Sequence, residues 1–155
     1  MAVHPHPLRQ APSLRAEMLI RRPAAQVYQA FVDPAITTRF WFSRASGPLQ
    51  PGSSVTWYWD SYRASATAQV DALQPNRLIR LRWPLPVEWQ FDDRGDNTTM
   101  TTINASDFSP DDDGVAQAID NMGGFMLVLA GCKAWLEHGI ALNLVNDKAP
   151  YAHVR

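Results

Sequence analysis

Apolar and polar positions alternate from Ser13 to Ile20, with Leu14, Ala16, Met18 and Ile20 on one side, which predicts a half-buried first strand. The period changes at Arg22-Pro23. Pro23 suits the first turn of a helix, where its missing N–H costs nothing, and Val27, Ala30 and Phe31 give that helix a short apolar face. Asp33-Pro34 ends it and opens a second helix, Pro34 to Phe42, carrying Ile36, Phe40 and Trp41. Gly47-Pro48 and Pro51-Gly52 then mark a loop from Ser43 to Ser53.

Strand patterns follow at close spacing. Val55, Trp57 and Trp59 oppose Thr56, Tyr58 and Asp60. Ala64, Ala66, Ala68 and Val70 share one side of the run Arg63 to Leu73. Ile79, Leu81 and Trp83 do so in Arg77 to Trp83, and Val87, Trp89 and Phe91 in Val87 to Asp92. The turn Asp93-Arg94-Gly95-Asp96 leads to a threonine-rich strand, Asn97 to Asp107. Short turns between neighbouring strands predict an antiparallel meander.

Met122 to Leu144 reads at a helical period, with Met122, Phe125, Val128, Leu129, Cys132, Trp135, Leu136, Ile140 and Asn143 on one stripe. Such a helix would be about 35 Å long. Upstream, Ser109-Pro110-Asp111-Asp112 predicts a helix start with Ser109 as N-cap, and Gly114 and Gly123-Gly124 predict a break before the long helix. Each interior glycine costs about 1 kcal/mol relative to alanine, so Gly123, Gly124, Gly131 and Gly139 call for a close approach or an open space beside them.

An antiparallel sheet with one apolar face must cover it, and the long helix is the only element large enough. The fold expected is therefore α+β: a curved antiparallel sheet of about six strands around a C-terminal helix, with two short helices after the first strand. Residues 1–12 are expected to be a flexible tail, 13–145 a single domain and 146–155 a C-terminal tail. Trp57, Trp59, Trp83, Trp89 and Phe91 share the face expected to turn inward. Either these rings fill the space beneath the helix, or they line a hollow for an apolar ligand. With the opposite face inward, Arg80, Arg82 and Glu88 would instead be buried and able to orient a ligand.

Composition narrows the classes. The 155 residues carry a net charge of -1 with 19% charged residues, which argues against a sequence-independent nucleic-acid binder. The cations are spread along the chain, so no polybasic membrane patch forms, and the apolar run Met122 to Cys132 is about half a membrane span. No membrane insertion is expected. Cys132 is the one cysteine, which excludes an intrachain disulfide and suits a reducing, cytoplasmic setting.

Four segments resemble one known family: RRPAAQVYQAFVDPAITTRFWF at 21–42, LQPGSSVTWYW at 49–59, VDALQPNRLIRLRW at 70–83 and GGFMLVLAGCKAWLEHG at 123–139. The chain is similar over about residues 13–145 to the activator-of-Hsp90-ATPase homologue family of the START/Bet v 1-like (SRPBCC) superfamily. The resemblance implies a helix-grip fold with a cavity between sheet and helix. It does not imply one chemistry, since the family includes co-chaperone domains, polyketide cyclases and lipid carriers.

No catalytic constellation is visible. His138 reads as an exposed helix-end residue, and Cys132 as an inert buried thiol. The clusters Asp92/Asp93/Asp96 and Asp111/Asp112/Asp113 lack the partners of a metal site, so neither metal nor cofactor is expected. Tyr58 and Tyr62 could serve as general acids, with nothing to single them out.

The function expected is binding of a small hydrophobic or aromatic molecule, by Trp41, Trp57, Trp59, Trp83, Trp89, Phe91, Phe125, Val128, Leu129 and Cys132. The alternative is a cyclase or hydrolase using polar groups in the cavity. A third reading, an Hsp90-type chaperone co-factor, is disfavoured because no second domain to anchor a partner is expected. Self-association is left open.

Overall fold

The computed structural model describes residues 8–148. The element order is β1 (Leu14–Ile20), α1 (Ala24–Val32), α2 (Pro34–Thr37), β2 (Arg44–Ala45), β3 (Ser54–Trp59), β4 (Ala64–Gln74), β5 (Leu78–Trp83), β6 (Leu85–Gly95), β7 (Thr98–Ala105), α3 (Asp112–His138) and α4 (Leu144–Lys148), with a single 3-10 turn at Asp60–Tyr62. The strands form one antiparallel sheet of seven, in the order β1-β7-β6-β5-β4-β3-β2. The strand beyond the six expected is the two-residue β2, too short to show a period.

The meander runs from β2 to β7, and β1 joins at the far edge in register Leu14↔Ala105 to Ile20↔Thr99. Because β1 and β2 are opposite edges, the chain between them must cross the sheet. α1 and α2 make that crossing on the same face that α3 covers. Pro23 stands just before α1, and the Asp33 side chain accepts the Ala35 N–H at 3.0 Å to cap α2. α2 is shorter than expected: turns rather than helix carry Phe40, Trp41 and Phe42 into the core.

The expected face turns inward. Val55, Trp57, Val70, Ile79, Leu81, Val87, Trp89, Phe91 and Ile103 are all buried. The opposite face carries a solvated charge ladder, Arg80–Glu88 at 3.1 Å and Arg82–Asp71 at 2.9 Å. Exposed pairs of this kind contribute about 0–1 kcal/mol each.

α3 differs from its sequence pattern at both ends. It starts at Asp112, and its N-cap is Asp111 rather than Ser109. The Asp111 carboxylate accepts the Gly114 N–H at 2.8 Å, and the Ser109 hydroxyl donates to the same oxygen at 2.8 Å. Gly123 and Gly124 do not interrupt it; Ala118 before them and Phe125 after them are both buried. The helix ends at His138, where Gly139 with a left-handed φ of 67° caps it, short of the expected Leu144. Ile140 and Asn143 therefore leave the stripe, and Ile140 is 52% exposed. Asn146 to Lys148, expected to be tail, are part of α4. The tail assignments for residues 1–7 and 149–155 lie outside the described residues.

By length and composition α3 could cross a bilayer. Here Phe125, Val128, Leu129 and Cys132 are buried in the same core as the sheet residues. Its C-terminal end is tied to the edge strand: Lys133 donates to the Leu19 carbonyl at 2.8 Å, and the Glu137 carboxylate accepts from Lys133 at 2.6 Å and from the Arg21 N–H at 2.9 Å. These contacts tie one end of the edge strand β1 to the helix. Gly131 permits the closest approach to the α2 loop. A Cβ placed there would lie 3.0 Å from Phe40 Cβ and 3.3 Å from Phe40 O.

Candidate functional site

The aromatic residues divide into a packed half and an open half. In the packed half, Phe31, Leu49, Trp57, Ile79, Leu81 and Trp89 close with one side of Trp41 around a gap with no room for a water molecule. Phe42 stacks on Trp57 at 5.3 Å, and Trp41 lies 4.9 Å from Trp57. Phe91 packs under α1, edge-on to Tyr28 at 5.6 Å. Leu129 and Cys132 are fully buried. Of the residues expected to bind a ligand, Trp57, Trp89, Phe91, Leu129 and Cys132 thus sit in dense core.

The open half is a cleft of about 430 Å³ between the β3–β4 end of the sheet and the middle of α3. Trp41, Trp59, Trp83, Phe125 and Val128 line it, all five of them expected residues. Trp59 and Trp83 lie nearly parallel, 9° apart at 5.8 Å between centroids, and Trp41 meets both edge-on. Phe125 adds edge contacts to Trp41 and Trp83. The result is a wall of ring faces and edges, suited to a flat apolar molecule. Gly124 also lines the cleft, and a Cβ there would meet no atom within 4 Å. This glycine borders open space.

Sequence reasoning missed Ala64, Asp120, Asn121, Leu127, Val145 and Lys148, and it named Tyr62 only as a possible general acid, not as part of the lining. Val145 and Lys148 belong to α4, which covers one side of the cleft. Tyr62 donates its hydroxyl to the Val145 carbonyl, Ser61 donates to Asn146 Oδ1 at 2.6 Å, and Lys148 pairs with Asp120 at 3.8 Å. Nothing in the local pattern of Ser61-Tyr62 signals a partner more than 80 residues away. Gly124, whose place in a helix calls for open space or close approach, was a visible pointer.

A second cleft, of about 540 Å³, opens on the other side of Trp83 and Phe125. It shares Trp83, Asn121 and Phe125 with the first and adds Leu85, Val87, Phe108, Asp107, Ser109 and Gln117.

Burial pushes the Cys132 thiol far above its ordinary range, so it is a poor nucleophile. His138 is exposed at the end of α3. Among the described residues, no group of three or more His, Cys, Asp or Glu side chains is placed to hold a metal. Beside the Trp-lined cleft the titratable groups are Asp120, Lys148 and Tyr62. The first two pair with each other, and the phenol is committed to α4.

Comparison with known proteins places this geometry. Residues 21–136 match the family described as activator of Hsp90 ATPase homolog 1-like protein. Among solved structures, a structural-genomics protein from Staphylococcus saprophyticus is 29% identical with a TM-score of 0.77, over 84% of this chain and 96% of that one. A putative protein of the dynemicin biosynthetic locus, DynU16, is 19% identical with a TM-score of 0.74, over 83% of this chain and 48% of its own. The Aha1 dimer from Colwellia psychrerythraea is 17% identical with a TM-score of 0.72, over 83% of this chain and 98% of that one. None of the curated proteins compared matches the chain.

Proposed function

Because the chain belongs to the activator of Hsp90 ATPase homolog 1-like family, we propose that it binds a small, flat, hydrophobic molecule in the cleft between its sheet and α3. One observation carries the reading: three tryptophans and Phe125 line a cleft of about 430 Å³ in which Gly124 leaves room for a ligand. The volume falls within the roughly 300–1,000 Å³ of small-molecule sites. The residues that bind are Trp41, Trp59, Trp83, Phe125 and Val128, and the buried set Trp57, Trp89, Phe91, Leu129 and Cys132 supports them from behind. The unit that carries the site is residues 13–145 with α4 added, and a single buried thiol fits a cytoplasmic setting.

Titration with 2-naphthylmethanol tests this. It should quench tryptophan emission saturably, and Gly124→Leu, which builds into the cleft, should weaken binding at least tenfold while the fold persists. Absence of saturable quenching by 2-naphthylmethanol and by a panel of flat polycyclic compounds would sink the reading.

A further inference from the structure

Resting on that reading, we propose that the Trp-lined cleft and its neighbour are two lobes of one site, which takes an elongated molecule with a flat aromatic head and a cationic tail. The lobes share Trp83, Asn121 and Phe125. The ridge between them is a single ring pair, Trp83 and Phe125 meeting edge-on at 6.3 Å. Both clefts open to solvent, so a flexible arm can cross this saddle without displacing a buried ring. α3 rises about 16 Å between Gln117 in the far lobe and Val128 in the near one, at 1.5 Å per residue.

The lobes differ in charge. In the near lobe Asp120 and Lys148 pair and cancel. The far lobe has an apolar floor, including Leu85, Val87 and Phe108, with Asp107 at its edge. Among the described residues, Asp107 has no cationic partner. The N-terminus of α3 lies just beyond, and Asp111, Asp112 and Asp113 offset its positive dipole. A cation near this end, Arg9, stands beside Leu8, whose N–H donates to the Pro110 carbonyl at 2.9 Å; Asp107, Asp111, Asp112 and Asp113 outnumber it, so the far end favours a cation over an anion. Aromatic residues at one end and a carboxylate at the other fix both the class of ligand and its direction.

The test uses three probes with a common 2-naphthyl head and a six-methylene arm ending in ammonium, hydroxyl or carboxylate, alongside 2-naphthylmethanol as the head alone. The arm should tighten binding at least tenfold over the head, since each buried methylene contributes up to about fourfold. Ammonium should bind about two- to fivefold tighter than hydroxyl, the range of an exposed ion pair, and carboxylate weaker still. Asp107→Asn should remove the ammonium advantage and leave the head unchanged. Asparagine suits that position because φ there is 64°, left-handed backbone that asparagine tolerates. Gln117→Trp, built outward from an exposed helix position, should abolish the gain from the arm alone.

If the head binds but the arm adds nothing, or if Gln117→Trp leaves the gain intact, the clefts are separate and the proposal is overturned. A charge order that is absent, or that survives Asp107→Asn, overturns the tail class. Failure of the head itself to bind refutes the preceding reading, and this one with it.

Discussion

Two glycines on α3, about two helical turns apart, should respond differently to the same substitution. Gly124→Ala adds a methyl where nothing lies within 4 Å, so only helix propensity changes. That favours alanine by roughly 0.8–1 kcal/mol. For a domain of this size, 1 kcal/mol shifts Tm by about 2–4 °C, so Gly124→Ala should melt a few degrees above wild type. Gly131→Ala gains the same propensity but places its Cβ 3.0 Å from Phe40 Cβ and 3.3 Å from Phe40 O. Phe40 is buried and edge-packed on Phe31 at 5.5 Å, so it cannot swing aside. Overpacking of this kind costs about 1–3 kcal/mol, so the net effect ranges from neutral to about 2 kcal/mol destabilising. Thermal and urea unfolding of both variants, with unchanged m-values, would measure the difference. An equal rise in Tm for both would refute the close approach at Phe40. A fall for Gly124→Ala would refute the open space at the cleft, and with it the physical ground for a ligand there.

Two further outcomes follow from polar contacts around α3 and α4. Burial alone would raise the pKa of Glu137, but the Arg21 N–H and the Lys133 ammonium outweigh it and hold the carboxyl below its ordinary value. A depressed carboxyl stabilises the fold above its unfolded-state pKa of about 4.3 and loses that contribution as pH falls through the folded value. Wild type should therefore lose more stability than Glu137→Gln on acidification below about pH 4–5, measured by urea midpoints across pH; parallel profiles would contradict this. Tyr62→Phe removes the donor to the Val145 carbonyl, worth about 0.5–1.5 kcal/mol. It should speed amide exchange across α4 while leaving α3 protected, and unchanged exchange there would show that α4 is held by other means.

The periodicity of the chain was enough for every strand but the two-residue β2 and for the existence of the long helix, because each depends on local alternation; it favoured one inward face of the sheet without excluding the other. Spacing put Trp59, Trp83, Phe125 and Val128 on the same side as Trp57, Trp89, Phe91, Leu129 and Cys132, and so did not separate cleft lining from packed core. Three things needed the tertiary structure. Which rings are packed and which are exposed to a cleft depends on how α2's following turns bring Phe40, Trp41 and Phe42 across Trp57, and no spacing encodes that. The cap of α3 passed from Ser109 to Asp111 because a carboxylate reaching the Gly114 N–H outcompetes a hydroxyl, a choice between near-equivalent local signals. The covering of the cleft by α4 rests on Tyr62 and Ser61 meeting Val145 and Asn146 from the far end of the chain. Sequence fixes what each segment prefers; the closing of the sheet around α3 decides which of those preferences meet, and so where the protein is filled and where it is left open.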